Sequence, residues 1–244
     1  TSKVTNMSYM FSSTSALESL DFSNWDTSNV TDMSNMFNEA NWNATTFSLS
    51  NWNVESVTNM SSMFYGACEY VKTFNLDLSG WNTRSVTDMS DMFYYAGIEA
   101  DAVSLNLSEW DTSNVTDMSK MFYYSGEYDA TTFNLIGLDK WNTGSVKNMT
   151  SMFTGAGLAS ATTFSLDLSG WNTSSVTNMS SMFSEAGENA TTWDIGNLSN
   201  WDTSNVTDMH GMFWLAGSSA TTFNLNLSNW NTSNVTTTEG MFNN

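Results

Sequence analysis

Hydrophobic positions follow two rhythms that alternate along the chain. In residues 221–240, Phe223, Leu225 and Leu227 alternate with Asn224, Asn226 and Ser228. Period two predicts a half-buried strand. The same pattern stands at Phe74, Leu76, Leu78, at Val103, Leu105, Leu107 and at Phe164, Leu166, Leu168. Residues 133–138 and 193–198 hold one extra residue each, with Gly196 inside the second, and read as bulges. The rhythm then changes. Asp88 precedes Met89, Met92, Phe93 and Ala96, apolar residues at i, i+3, i+4 and i+7, which is one face of a helix. The leading column is Asp or Asn in each copy: Asp32, Asn59, Asp88, Asp117, Asn148, Asn178 and Asp208. Such residues cap helix N-termini, and Gly97, Gly126, Gly157, Gly187 and Gly217 stand where a C′ glycine belongs. The pattern predicts a helix of about two turns, too short to hold without its neighbours.

Between strand and helix runs W-[DN]-T-S-x-V-T. Asp and Asn exchange freely after the tryptophan (Asp26, Asn53, Asn82, Asp111, Asn142, Asn172, Asp202, Asn231), which predicts an Asx turn that needs an oxygen and no charge. The tryptophans are Trp25, Trp52, Trp81, Trp110, Trp141, Trp171, Trp201 and Trp230, spaced 27, 29, 29, 31, 30, 30 and 29 residues apart. A fixed period of this length means stacked units that bury their apolar faces on one another. The expected fold is an α/β repeat solenoid: a leucine-rich-repeat-like stack of eight coils of about 29 residues, each a short strand, a loop and a short helix. The alternative is a two-sheet β-solenoid in which Val-Thr-Asp-Met is a second strand. The chain reads as one repeat-array domain: a partial unit at 1–24, central repeats at 25–229 and a degenerate end coil at 230–244, where Thr238 replaces a core Met. Thr1 lies just before a repeat motif, so the chain reads as trimmed or processed.

Composition narrows the function. The chain holds 17 Met, 15 Phe and 11 Trp, enough for a continuous core despite its many Ser, Thr and Asn residues. Twenty-five acids against six bases give a net charge of −19, which argues against nucleic acid or anionic lipid as partner. Cys68 is the only cysteine, so no internal disulfide is expected, and no apolar run approaches the roughly 20 residues that span a bilayer.

The string L-D-L-S-x-W-[DN]-T-S-x-V-T-[DN]-M-S-x-M-F, as in residues 76–93 and 166–183, resembles the BspA-like leucine-rich repeat of bacterial surface proteins and mycoplasma-type lipoproteins of unassigned function. The resemblance implies a leucine-rich-repeat-like solenoid, a surface-exposed or secreted setting and, in some members, adhesion. It implies no catalytic residues. The column Trp stands where Phe is common in that family, and the units here are longer than its shorter form.

Candidate chemistry is sparse. His210 is the only histidine and fills a variable slot; Cys68 fills a small-residue slot. No enzyme is expected, because repetition offers no convergence of unique groups. The strand acids Asp21, Asp77, Asp139 and Asp167 are candidate Ca²⁺ ligands, but no D-x-D-x-D-G loop is present and solvated acids are the favoured reading. No other cofactor is expected. Two threonine ranks, one through Thr31, Thr58, Thr87, Thr116, Thr177, Thr207 and Thr236 and one through Thr27, Thr83, Thr112, Thr143, Thr173, Thr203 and Thr232, raise an ice-binding reading; Lys147 interrupts the first and Val54 the second. Aromatics after the Met-Phe pair, Tyr65, Tyr94, Tyr95, Tyr123, Tyr124 and Trp214, are candidate binding residues, as are the strand-face Asn106, Asn224 and Asn226. The Trp and Asp/Asn columns are read as structural. The expected function is a non-enzymatic extracellular or cell-surface scaffold binding protein or glycan, with no direct membrane insertion. A structural subunit or spacer of an extracellular assembly, with self-association, is the alternative, and ice binding the third reading.

Overall fold

A computed structural model of the chain describes residues 1–14, 17, 22, 24–41, 48–128, 130–159 and 162–243. The fold is a β-solenoid. Six short strands form: β1 Thr73–Asp77, β2 Ala102–Asn106, β3 Thr132–Ile136, β4 Thr163–Ser165, β5 Thr192–Asp194 and β6 Thr222–Asn224. They lie in two parallel three-stranded sheets, β1-β2-β3 and β4-β5-β6. From β1 to β6 the chain makes about five turns. The expected eight strand-bearing coils are therefore corrected to six strands among the described residues.

Register follows the apolar alternation. Phe74 pairs with Val103 and Val103 with Phe133; Leu76 pairs with Leu105 and Leu105 with Leu135. Phe133 stacks on Phe164 at 6.0 Å, so the core continues from the first sheet into the second. The expected bulges do not break the register. β2 and β3 pair residue for residue, and the extra residue is absorbed afterwards, at Gly137 (φ 98°), before a 3-10 turn at Leu138–Lys140. Gly196 (φ 80°) plays the same part before Leu198–Asn200. A second parallel ladder runs through Asn6, Asp32, Asn59, Asp88, Asp117, Asn148, Asn178, Asp208 and Thr237, as single bridges. The β-solenoid alternative thus comes nearer than the α/β expectation, though its second sheet is reduced to one rung per coil.

The expected helix is absent. Among the described residues the only helical elements are the two three-residue 3-10 turns. The Met-x-x-Met-Phe segment is instead a ribbon of overlapping tight turns. In one coil the Met63, Tyr65 and Ala67 amides donate to Met60, Ser62 and Phe64, each an i→i−3 bond. The intervening Met60, Ser62, Phe64 and Gly66 amides donate to Asp88, Ser90, Met92 and Tyr94 of the next coil at 2.6–3.0 Å. The amides a helix would spend internally are thus shared with a neighbour. Left-handed backbone at Ser62, Asp91, Lys120, Ser151 and Ser181 (φ 54–56°) is incompatible with an α-helix. The apolar spacing survives the change: Met60, Met63, Phe64 and Ala67 are all fully buried. The Asp/Asn column caps this ribbon, with Asp88 Oδ1 accepting from the Ser90 amide and hydroxyl at 2.9 and 2.7 Å.

Tryptophan ties coil to coil. Each Leu-x-x-Trp turn is closed by the Trp amide donating to the Leu carbonyl, as Trp141 does to Leu138 at 3.2 Å. The same carbonyl accepts the indole N–H of the next coil's tryptophan, Trp171 to Leu138 at 2.8 Å. This repeats for Trp81 on Leu49, Trp110 on Leu78, Trp201 on Leu168 and Trp230 on Leu198, at 2.9–3.0 Å. Trp52 departs, its indole nitrogen buried with no hydrogen-bond partner among the described residues. The rings stack at 6.0–6.3 Å, and the Phe column beside them at 5.3–5.6 Å.

Trp171→Phe keeps an aromatic ring in the stack and removes the indole donor. Chemical denaturation of this variant is expected to show a loss of about 1–3 kcal/mol, from the missing bond and the smaller ring. Unchanged stability would show that the indole bond is dispensable.

Candidate functional site

The scaffold columns repeat; the segments leaving the ribbon do not. There, Tyr65, Tyr94 and Tyr123 occupy one column in three successive coils and stack at 4.5 Å, with planes within 4° and 12° of parallel. The left-handed position that follows puts Tyr95 and Tyr124 beside them. Tyr95 meets Tyr94 edge-on at 4.6 Å, and Tyr124 meets Tyr123 edge-on at 4.7 Å. Sequence expectation named Tyr65, Tyr94, Tyr95, Tyr123 and Tyr124, and the fold brings these five together as half-buried rings. Trp214 shares the Tyr123 column three coils on, beyond the buried Thr154 and Ser184, and is apart from them.

Two residues not foreseen complete the cluster. Tyr124 crosses the next coil, and its hydroxyl donates to Glu185 Oε2 at 2.5 Å, two coils away. The crossing needs Gly155, where any Cβ would collide with the Tyr124 ring. Burial pushes the Tyr124 hydroxyl well above the usual tyrosine range, and the Glu185 carboxylate pushes it further. Burial likewise raises Tyr94, Tyr65 and Tyr123. The charged groups acting on Tyr65, Tyr123 and Tyr124 are acids: Glu39, Asp91, Glu127 and Glu185. Beyond the ladder, Tyr70 and Tyr128 are 70% and 60% exposed, the first beside Glu69 and the second beside Glu127. Neither was picked out in sequence, because the segment between ribbon and strand varies in composition.

The remaining candidates lie elsewhere. Asn106 Oδ1 accepts from the Ser108 hydroxyl at 2.9 Å, and Asn226 Oδ1 from the Ser228 amide at 3.2 Å, so both shape Asx turns. Asn224 and Asn226 line a shallow groove of about 510 Å³ with Phe223, Asp194 and Gly196. Asp139 and Asp167 line an adjoining groove of about 410 Å³ with Asp194. Asp77 and Asp167 each accept two bonds from the serine two residues on. Those bonds hold Asp167 below the usual carboxylate range, while Asp139 pairs with Lys140 at 2.7 Å. Among the described residues no group of three or more His, Cys, Asp or Glu is placed to hold a metal ion; Asp21 lies outside them. His210 Nδ1 lies 3.1 Å from Asp208 Oδ1 on the surface, and Cys68 is buried.

The two threonine ranks separate. Thr58, Thr87, Thr116 and their column partners are exposed, each hydroxyl donating to the preceding coil's carbonyl. Thr27, Thr83, Thr112, Thr143, Thr173 and Thr203 are buried, their hydroxyls donating to a carbonyl of the next coil at 2.9–3.1 Å. The second rank is therefore inter-coil glue, not a surface array.

A family model described as Mycoplasma protein of unknown function, DUF285, matches residues 1–102, 95–197 and 188–244. The chain belongs to this family. Its successive matches tile the repeat array described above. No curated protein and no solved structure matches the chain. Among the described residues no helix of this DUF285 member is long and apolar enough to cross a membrane.

The Tyr124–Glu185 contact makes a pH prediction. Native structure favours the protonated phenol, so its contribution is full below the ordinary tyrosine value of about 10 and is lost as pH rises towards the raised native value. Glu185→Gln removes a carboxylate that holds the phenol protonated. Ultraviolet titration is expected to show one tyrosine ionising at lower pH in this variant; a curve identical to the parent's would place Tyr124 away from Glu185.

Proposed function

We propose that this DUF285 member is a non-enzymatic scaffold, displayed at the cell surface or secreted, that binds a protein or glycan ligand across several coils. The tyrosine cluster carries the reading. The core columns use their chemistry on coil-to-coil contacts, whereas five tyrosines gather on three consecutive coils and stay half-exposed. Half-buried aromatics of this kind are characteristic of binding surfaces, since they supply contact area with little side-chain entropy to lose. The BspA-like resemblance supports the surface setting and the adhesive role. The non-enzymatic reading is supported by His210, whose imidazole Nδ1 meets a turn-forming aspartate, Asp208, on the surface.

The reading is tested with the purified array on a glycan array and in capture from labelled surface proteins. A specific ligand is expected whose binding falls at least about tenfold in Tyr94→Ala/Tyr123→Ala, since two contact-centre aromatics carry over 1.4 kcal/mol between them. Ligand binding indifferent to that variant would move the site to another face. No ligand at all would leave the spacer role, which the unbroken core from Met7 to Ala216 supports.

A further inference from the structure

The ladder and the exposed tyrosines beside it differ in what they offer a ligand. Tyr65, Tyr94 and Tyr123 lie face to face at 4.5 Å, so stacking hides the faces of the inner ring and leaves edges. Sugars dock on ring faces, which the inner ring, Tyr94, withholds. Among the described residues, Tyr70 and Tyr128 are the two most exposed aromatics of the ribbon exits, and no described ring stacks on either. They stand two coils apart, about 10 Å at the inter-strand spacing. Between them is the exposed Glu99, whose amide donates to the Glu69 carbonyl, while the Tyr128 amide donates to Ile98. Glu69 and Glu127 precede the two tyrosines directly. The carboxylates bearing on Tyr70 are Glu69 and Glu99, and those bearing on Tyr128 are Glu127 and Glu99. Rings and carboxylates therefore alternate along one strip, on a chain of net charge −19.

We propose that this strip, Tyr70–Glu99–Tyr128 with Glu69 and Glu127, docks a lysine- or arginine-rich extended segment of a partner protein. The proposal deepens the ligand-binding reading above and rests on it. A basic side chain matches both parts of the strip: its methylene stem lies along a tyrosine ring and its charged head reaches the neighbouring carboxylate. A peptide of four or five extended residues, at about 3.3 Å each, spans the distance between the rings. Uncharged glycans match the rings alone. Acidic partners are repelled.

The test uses the full chain and a fluorescein-labelled peptide of alternating Lys and Ser, read by polarisation at low and at physiological salt. Net charge alone draws such a peptide, so the decisive variant keeps the charge: Tyr70→Ser/Tyr128→Ser. Both rings are exposed, and unchanged melting checks the fold. Binding is expected to weaken about five- to thirtyfold, the worth of two exposed cation–π contacts. Glu99→Gln/Glu127→Gln is expected to weaken it further than Asp26→Asn/Asp202→Asn, which removes equal charge from a different column. Parent-like affinity of the tyrosine variant, or losses that follow net charge wherever it is removed, overturns the proposal. If the peptide ignores the strip while a surface protein or glycan still needs Tyr94 and Tyr123, the basic-partner inference fails alone. If neither is bound, the binding reading fails with it.

Discussion

In most coils one carbonyl group does two jobs, and the rest of the solenoid is arranged around it. The leucine carbonyl that closes the Leu-x-x-Trp turn also receives the indole N–H of the following coil, as at Leu168 with Trp171 and Trp201. A carbonyl has two lone pairs, and here one sets the local turn and the other the stacking distance. Local shape and inter-coil register are thereby locked together. Phenylalanine could fill the same space but could not make the second bond, which explains tryptophan in a column where the resembling family commonly carries phenylalanine. Each bond contributes about 1 kcal/mol net. Repetition along the stack, with nearest-neighbour contacts only, makes the sum large.

The same logic governs the other polar columns. Buried threonines such as Thr143 and Thr173 give their hydroxyls to the next coil, and asparagines such as Asn114 and Asn205 give their amides to the preceding one. The turn ribbon alternates an internal bond with an external one. Function is then left to residues that the stacking does not consume. The tyrosine exits are such a place, and Gly155 shows that the scaffold adapts to them, since its missing side chain lets Tyr124 reach Glu185.

Much of this was legible in the sequence. Alternation at Phe74, Leu76 and Leu78 gave strand and facing correctly, and the free exchange of Asp26 with Asn53 gave an Asx turn, now seen as Ser28 and Glu55 donating to those oxygens. The helix was misread because Met60, Met63, Phe64 and Ala67 carry a helical spacing that a ribbon with one left-handed residue also produces. A signal was present. The column of Asn35, Ser62, Asp91, Gly211 and Gly240 is rich in residues that tolerate left-handed backbone, and they adopt φ 55–64°. Tyr70, Tyr128 and Glu185 were not legible, since the neighbours of each are set by stacking between coils and by no local pattern.

The central claim is that backbone hydrogen bonds of the Met-x-x-Met-Phe segment run between coils. Through-hydrogen-bond scalar couplings in a labelled sample measure this directly. The Phe93 amide is expected to couple to the Met121 carbonyl, which it meets at 2.8 Å. Coupling of Phe93 to Met89 instead, four residues back in its own coil, would restore the helix and contradict this account.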